Sequence, residues 1–364
     1  MKILKGSIII YRLFDISWWL DLEKVEKRVD GAQRLRIERK RFSRAFHFAN
    51  PPVTVNMGSI SWEYDGKSFD IQRYAKLYDY GALSVITEVP VTEMEFEKFE
   101  ELAAELADRS PFDSEAFAIR DHITQTFRDA MKGSGAEGIY EDYTLYYLKS
   151  TEPTISASGM PSVEFERLLL SEPPGATPSS STRRDLFANT FSYLENDLAV
   201  INWDNALVLD PTGSMDIPDL LEFANSQLLE LRVYDSQLTR EMDTIYDHMS
   251  VREKPSVWKM RKYRDLAAKT MVTITELTEI TERIDNSLKV TDDVYYAKVY
   301  SATLDLFKVR SWAANIKQKI EIATRTYDML NKETATKRSE WLEIIIILLI
   351  AVEIVFFVYL ELKP

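Results

Sequence analysis

An apolar run near the C-terminal end constrains this chain more than any other feature. Residues 344–360 read IIIILLIAVEIVFFVYL, seventeen residues with a single charge at Glu353. With its apolar flanks, the run would form a helix of about 30 Å, the thickness of a bilayer's hydrocarbon core. A carboxylate near the bilayer centre costs about 3 kcal/mol, and each large apolar residue contributes roughly −0.3 to −0.6 kcal/mol. The sequence therefore predicts one transmembrane helix over residues 341–362.

The residues around this run predict its orientation. Lys332, Lys337 and Arg338 precede it and only Lys363 follows it. The positive-inside rule then places the bulk of the chain in the cytoplasm and the C-terminus outside the cell membrane, with the lipid bilayer as a partner. A buried core helix or an oligomer helix is the alternative. The residues assigned to the predicted span, including the interfacial aromatics at its ends, are Trp341, Ile344, Ile350, Glu353, Phe356 and Tyr359.

Glu353 is the residue of the predicted span that most needs an explanation. An ionisable group inside a membrane helix is a candidate functional group, because it must be protonated or hydrogen-bonded there. Contact with the same residue of a neighbouring subunit would satisfy it. A tolerated glutamate in a shallow span is the competing interpretation.

Apolar residues at alternating spacings of three and four predict a helical coiled-coil stalk over residues 213–340. Three helices are expected, over about 217–249, about 256–288, and from a cap at Thr291 or Asp292 directly into the span. The first two can fold back as an antiparallel pair, and the likely alternative products of such seams are a bundle core or an oligomer interface. The residues assigned to coiled-coil oligomerisation are Leu228, Leu231, Leu238, Val299, Leu306, Ile316, Ile320, Tyr327 and Leu330.

Residues 1–212 alternate strand-like and helix-like segments. Residues 3–14 are rich in β-branched residues, and hairpins are indicated around residues 79–81 and 203–205. A helix capped at Thr92 and a second helix over about 113–131 lie between the strand groups. Strands in groups separated by paired helices predict an α+β fold, with a sandwich-like head before the stalk and the transmembrane helix.

Charge is unevenly distributed along this acidic chain, whose net charge is −13. The segment from Lys24 to Arg44 holds nine basic and three acidic residues. It could contact RNA, anionic lipid or an acidic protein partner, or it could pair internally with the acidic segment 88–121. The residues assigned to this basic patch are Arg34, Arg36, Arg39, Lys40, Arg41 and Arg44.

The motifs that support catalysis or cofactor binding are not found in the sequence. There is no cysteine, the three histidines lack ligand spacing, and no serine lies in a nucleophile-elbow context. Residues 133–138, GSGAEG, match G-x-G-x-x-G but follow a predicted helix and precede a strand, which is the reverse of the phosphate-binding order. We interpret them as a helix-terminating loop. We therefore predict no catalytic residues, no metal and no cofactor, and a protein that is not an enzyme.

The C-terminal third resembles a known family. Residues 290–300 read VTDDVYYAKVY, residues 338–346 read RSEWLEIII and residues 350–354 read IAVEI. This pattern is similar to the tail of the "required for meiotic nuclear division" proteins, also called Sad1-interacting factors, and Glu353 matches their intramembrane glutamate. Residues 80–85, YGALSV, resemble the family's N-terminal strand more weakly. The resemblance implies a tail-anchored oligomer with no established enzymatic activity, whose eukaryotic relatives support organellar translation as a tether.

These observations favour a non-enzymatic, tail-anchored oligomeric scaffold that presents an α+β head. Two hypotheses from other classes stand beside it. One is a homo-oligomeric channel or signalling protein in which several spans surround Glu353. The other is a head that binds a nucleotide or RNA through the basic patch.

Overall fold

The structure is a computed structural model that describes residues 1–29, 33–34, 50–155, 163–170, 178–250 and 293–361, with single positions 268, 271, 272, 275 and 278. The chain divides into two compact units. The first comprises Met1–Val233 and Arg283–Trp312, and the second comprises Tyr234–Glu282 and Ala313–Pro364. This division differs from the predicted boundaries after residues 212 and 340, because the start of a long helix belongs to the first unit.

A nine-stranded sheet forms the centre of the first unit. The strands in the described part of the chain are β1 (Lys2–Asp15), β2 (Trp19–Leu20), β3 (Gln33–Arg34), β4 (Val53–Tyr64), β5 (Lys67–Leu77), β6 (Ala82–Glu95), β7 (Met131–Lys132), β8 (Tyr140–Glu152), β9 (Thr190–Phe191), β10 (Leu198–Ile201) and β11 (Asn205–Leu209). The order across the large sheet is β3-β4-β5-β6-β1-β8-β11-β10-β9, and β2 pairs separately with β7. The β8–β11 pair is parallel, so the sheet is mixed.

β1 occupies the middle of this sheet because its sequence suits burial on both faces. Its run of isoleucines and aromatic residues is buried almost without alternation, which is the pattern of a strand covered on both sides. It pairs antiparallel with β6 and with β8. The predicted strand over residues 3–14 and the predicted hairpins β5–β6 and β10–β11 are confirmed.

Helices cover the sheet and continue into the second unit. In chain order they are α1 (Leu22–Arg28), α2 (Phe96–Arg109), α3 (Asp113–Thr126), α4 (Val163–Leu170), α5 (Ser180–Leu186), α6 (Asp216–Ser250), α7 (Val294–Leu306) and α8 (Val309–Glu361), with a 3-10 turn at Arg128–Ala130. The helix predicted to be capped at Thr92 begins four residues later, because β6 continues to Glu95. The predicted helix over 256–288 lies mostly outside the described residues.

The two faces of the sheet carry different cores. On the first face, α2, α4 and α5 pack on one apolar cluster, which includes Ile8, Val89 and Tyr146. Nearer the other end of the strands, α1 and α3 pack on a second cluster, which includes Phe14 and Leu83. The opposite face is covered by the first part of α6 and by α7, through polar contacts that are described below. The head is therefore a sheet between two helical layers.

The predicted fold class, an α+β sandwich-like head with coiled-coil helices and a transmembrane helix, is wrong. A single mixed sheet with helices on both faces takes the place of the sandwich. The prediction treated the strand groups as separate hairpins, but β1 joins them by pairing with strands on both of its sides. The parallel pairing of β11 with β8 then adds the second hairpin to the same sheet.

The predicted transmembrane helix is also wrong. No helix in the portion of the chain that is described is both long enough and apolar enough to cross a membrane. The described apolar side chains of this stretch extend from Leu342 to Val355 and include Glu343 and Glu353 among them, whereas a span needs about 20 predominantly apolar residues. Tail anchoring, the single-pass arrangement and the cell-membrane localisation depended on that helix and are corrected with it.

The third predicted helix is interrupted where the sequence gives no signal. α7 ends at Leu306 and α8 begins at Val309, and between them Lys308 adopts a left-handed backbone conformation with φ 54°. Phe307 is fully buried there, with its ring 5.6 Å from the ring of Tyr143. Packing of one phenylalanine on the sheet therefore ends a helix that contains neither glycine nor proline.

In the second unit, the continuation of α6 packs on α8. Leu238, Ile316 and Ala323 are buried, and Lys319 forms an ion pair of 2.6 Å with Asp235. Asp235 is the polar position that the heptad pattern left unexplained. Its partner is a lysine of the same chain.

Gly81 tests how closely the β5–β6 turn approaches β1. Its φ is +98°, and a Cβ atom there would lie 1.6 Å from the carbonyl oxygen of Ser17. We expect Gly81→Ala to reduce the free energy of unfolding by about 3 kcal/mol or more, because strain and a backbone clash add. Urea denaturation followed by circular dichroism measures this. Gly66→Ala is the control, because Gly66 has φ +72° but open space around it, so about 1–2 kcal/mol is expected. Equal losses in the two variants would show that the clash is absent.

Candidate functional site

The buried side of α6 is polar, which is unusual for a helix that covers a sheet. Five of its polar side chains are at most 2% exposed: Glu222, Asn225, Ser226, Gln227 and Glu230. Polar groups removed from water are costly unless they are paired. The face of the sheet beneath α6 supplies matching polar groups, and together they form the most concentrated set of buried titratable groups in the described part of the head.

Lys76 lies at the centre of this set. It is on β5 between Ala75 and Leu77, and it is 4% exposed. Its Nζ atom donates to Asp219 Oδ1 at 2.8 Å and also donates to Glu222. We call these three residues the buried ion cluster. It fixes the first turns of α6 against the middle of the sheet.

The ion cluster holds one carboxylate more than its single lysine neutralises. Burial alone would lower the pKa of Lys76, but the charges of Asp219 and Glu222 and their hydrogen bonds outweigh it and raise that pKa. Burial raises the pKa of Glu222, and Lys76 only partly opposes this. The two directions agree with one charge distribution, a cationic Lys76 paired with Asp219 beside a Glu222 that takes up a proton more readily than an exposed glutamate.

Buried phenols surround the ion cluster. Tyr80 and Ser226 share a hydrogen bond of 2.5 Å between their hydroxyl groups, and Tyr300 donates to Gln227 Oε1 at 2.7 Å. Tyr296 donates to Asp216 at 2.8 Å. Burial is the largest cause that raises the pKa of Tyr11, Tyr80 and Tyr300. The phenols therefore stay neutral and act as hydrogen-bond donors between the sheet, α6 and α7.

This arrangement suits a structural connection better than a reaction centre. Lys76 and Glu222 are 4% and 1% exposed, so a ligand at the surface does not reach either group. The directional bonds instead determine how α6 and α7 lie on the sheet. Among the described residues, no three histidine, aspartate or glutamate side chains are grouped as metal ligands would be.

The glycine-rich segment at residues 133–138 packs against the end of β1. It follows β7 rather than a helix, which corrects its interpretation as a helix-terminating loop. Asp15 Oδ2 accepts a hydrogen bond from the Ala136 N–H at 2.8 Å. A Cβ atom at Gly135 would lie 2.0 Å from the carbonyl oxygen of Asp15. Close backbone approach therefore accounts for a glycine at this position.

A cleft of about 550 Å³ opens on the first unit between the β4–β5 hairpin and α2. The rings of Trp62 and Tyr64 stack in its wall, with centroids 5.5 Å apart and planes at 11°. Charged side chains of both signs complete the lining, which consists of Trp62, Glu63, Tyr64, Asp65, Lys98, Glu101, Glu105, Arg109 and Pro111. We call this the hairpin cleft.

The structure distributes the predicted site residues over several places. Leu228, Leu231, Leu238, Val299 and Ile316 are buried within this one chain, and Leu306 and Ile320 are half-buried. The side chains of Tyr327 and Leu330 lie outside the described set. Burial inside the chain means that the first five are available to a second copy only if the fold opens. Their assignment to oligomerisation stays a prediction.

The residues predicted for the span and for the basic patch are described only in part. Ile344, Ile350 and Glu353 are exposed, and nothing is described of the side chains of Trp341, Phe356 and Tyr359. Arg34 lies in β3, where its backbone pairs with Val53. The other members of the patch, Arg36, Arg39, Lys40, Arg41 and Arg44, lie outside the described residues, so their contact with RNA, lipid or protein stays a prediction.

The sequence analysis missed the buried ion cluster and the hairpin cleft. A lysine flanked by alanine and leucine inside a strand signals either an exposed edge or a buried ion pair, and Lys76 is the second kind. In α6, polar residues at 222, 226 and 230 recur every four residues, which would have indicated a polar stripe facing the sheet. The heptad pattern attracted attention to the leucines instead.

A mixed sheet between two helical layers, one of which is attached through buried ions and phenols, defines the head as a three-layer α/β/α domain. Residues 5–216 match the family model described as "Uncharacterized protein MJ0711, N-terminal domain". Because this match covers more than half of the 364 residues, the chain belongs to that family. The described first unit contains the whole matched region.

A relative in Methanocaldococcus jannaschii, "Uncharacterized protein MJ0711", is 26% identical over 244 residues, which are 66% of this chain and 73% of the relative. No solved structure matches the chain. The family match ends before residue 290, so it does not bear on the resemblance of the tail to the "required for meiotic nuclear division" proteins. That resemblance stays a prediction.

Removal of the lysine from the buried ion cluster should be far more costly than removal of the surplus carboxylate. We expect Lys76→Met to lower the free energy of unfolding by about 3–5 kcal/mol, because two buried carboxylates lose their counter-charge. Glu222→Gln should change it by about 1 kcal/mol or less, because Lys76 keeps Asp219. Urea denaturation at pH 7 measures both. Similar losses in the two variants would contradict the surplus-carboxylate interpretation.

Asp15 should make stability depend on pH. Burial raises its pKa to about 7, against the opposing hydrogen bonds from Ala136 and Ser17. Since the pKa is raised on folding, the folded state binds the proton more tightly, and this stabilisation is full below pH 4 and lost as pH rises through 7. The free energy of unfolding should therefore fall by up to about 4 kcal/mol between pH 4 and pH 7.5.

The Asp15→Asn variant isolates this contribution. Its difference in unfolding free energy from the unaltered protein should change steadily between pH 4 and pH 7.5. The exposed Asp108 provides the control, because Asp108→Asn should leave the pH dependence as it is. A parallel pH profile for Asp15→Asn and the unaltered protein would contradict the assignment.

Proposed function

We propose that this protein is a non-enzymatic scaffold that associates with further copies of itself through the apolar part of α8. The observation that carries the proposal is the exposure of that part. Eleven large apolar side chains between Leu342 and Val355 are 47% to 68% exposed. A surface of this kind on a single chain is rarely left in contact with water.

The exposed apolar side chains surround the helix. Residues 344–350 are seven consecutive isoleucines and leucines, which cover about two full turns. A helix that is apolar on every side requires apolar neighbours on more than one side. Further copies of the same stretch provide such neighbours in a closed, symmetric arrangement.

The exposed area is sufficient for a stable assembly of copies. The eleven side chains expose roughly 1,000 Å² of apolar surface, so two copies would remove roughly 2,000 Å² from water if they covered each other. Stable homodimer interfaces begin at about this size and are more apolar than transient ones. Self-association through α8 would place several heads together, each with its own hairpin cleft.

The scaffold proposal keeps the predicted homo-oligomer and leaves out the other two hypotheses. A channel formed around Glu353 required the membrane helix that is corrected above. A head that binds a nucleotide or RNA depended on the basic patch, of which little is described. Support for the scaffold comes from exposed area and side-chain chemistry in the described part of α8.

Light scattering after gel filtration tests the proposal on the full-length protein. We expect one defined oligomer at micromolar concentration. The double variant Ile346→Glu/Ile350→Glu should reduce the mass to that of the monomer, because charges in an apolar interface are costly to desolvate. A chain that ends at Lys337 should also be a monomer.

A matched control adds the same two charges elsewhere on the same helix. Asn315 and Gln318 are exposed positions of α8 in its polar part, so Asn315→Glu/Gln318→Glu should keep the oligomer intact. A monomeric unaltered protein, a polydisperse mass, or an oligomer that survives Ile346→Glu/Ile350→Glu would each contradict the proposal.

A further inference from the structure

We propose that the hairpin cleft binds an arginine side chain of a peptide segment, with the guanidinium group placed against the Trp62–Tyr64 stack and between the carboxylates of α2. This inference is independent of the self-association of α8. It depends on residues of β4, the β4–β5 turn and α2, all of which belong to the first unit.

The aromatic wall of the cleft is held in place before any ligand binds. Trp62 and Tyr64 are two residues apart on β4, so their side chains share one face of the strand. Behind Trp62 lie Phe69, at 5.8 Å between ring centroids, and Phe112, at 5.4 Å with its ring edge-on. Both Trp62 and Tyr64 pack against the apolar core on that side of the sheet. A prearranged aromatic surface of this kind binds planar cations.

The potential in the cleft is negative. Four carboxylates and two cations line it, namely Glu63, Asp65, Glu101 and Glu105 with Lys98 and Arg109. The phenol of Tyr64 responds to this surplus. Burial is the largest cause that raises its pKa, and the carboxylates of Glu105, Glu101 and Asp65 raise it further, against Lys98. A cation that enters the cleft would therefore meet unbalanced negative charge.

Cations of the chain itself already occupy the carboxylates of α2. Lys98 Nζ donates to Glu101 at 2.6 Å and lies 3.5 Å from Asp65. Arg109 pairs with Glu105 at 2.9 Å across one helical turn. These pairs lie at the surface, where ion pairs are weak and exchange readily. An incoming cation can therefore displace Lys98, and Lys98 then acts as an internal competitor.

The shape of the site favours arginine over lysine. A guanidinium group is planar, stacks on aromatic rings and donates two parallel hydrogen bonds to a carboxylate, whereas an ammonium group is a compact and strongly hydrated charge. The volume of about 550 Å³ exceeds what one guanidinium needs and lies in the range of ligand sites. The cleft therefore has room for the residues on either side of the arginine.

The test uses the full-length protein and a labelled synthetic peptide, QRLRIERKRFSR, which reproduces residues 33–44. Its charge is complementary to that of the cleft. Fluorescence anisotropy is expected to show saturable binding that weakens with salt. A second peptide, with every arginine replaced by lysine, should bind at least about fivefold more weakly. An absence of binding, or equal binding of the two peptides, would overturn the proposal.

Variants of α2 separate a site in the cleft from general attraction to an acidic protein. Glu105→Gln should weaken binding of the arginine peptide about fivefold to tenfold, because a charge-assisted contact is lost. Lys98→Met should strengthen binding about threefold, because the internal competitor is removed. Glu97 is exposed on α2 and does not line the cleft, so Glu97→Gln is the control and should leave binding within twofold of the unaltered protein.

The opposite signs of the two main effects make the outcome decisive. A merely structural role for α2 would lower affinity in both the Glu105 and the Lys98 variants, and diffuse electrostatic attraction would make the Glu97 and Glu105 variants equal. Either result would overturn the proposal. Unchanged unfolding midpoints of the three variants, measured alongside, show that each variant is folded.

Discussion

The head depends on the burial of one charge in the middle of a sheet. Lys76 is surrounded by strands on both sides and covered by α6, so its ammonium group has no access to water and must find its counter-charges within the fold. Asp219 and Glu222 provide them from the first two turns of α6. A shift of α6 by one residue would move both carboxylates away from Lys76 and leave a buried charge uncompensated. The position of α6 on the sheet is thereby fixed by electrostatics rather than by shape alone.

The two faces of the sheet illustrate two ways to attach a helical layer. On the face covered by α2 and α4, apolar side chains interdigitate, and such packing tolerates small adjustments because the hydrophobic effect has no direction. On the face covered by α6 and α7, phenols, amides and carboxylates meet in pairs with defined distances. Hydrogen-bonded contacts of this kind add little net free energy per bond, but each unmade bond is costly. The polar layer is therefore specified more sharply than it is stabilised.

The sequence predicted the parts of the fold that depend on local pattern. The isoleucine-rich β1, the hairpin turns at residues 79–81 and 203–205, and the first long helix follow from composition and periodicity, and they are confirmed. The failures arose where distant partners decide the outcome. The burial of Lys76 depends on α6, more than 140 residues away in sequence, and the break after Leu306 depends on the contact of Phe307 with Tyr143. The hairpin cleft combines two elements that are each unremarkable as sequence, so no single segment could have indicated it.

The central position of β1 has a consequence for how the protein is made. Lys2–Asp15 pairs with β6, which ends at Glu95, and with β8, which ends at Glu152. At a synthesis rate of about 5–20 residues per second, β1 leaves the ribosome on the order of ten seconds before both of its partners exist. During that interval its isoleucine-rich segment has two open edges and no apolar cover. The sheet is thus completed from its middle strand last, and the newborn chain relies on the ribosome surface or on chaperones to keep that strand from pairing elsewhere.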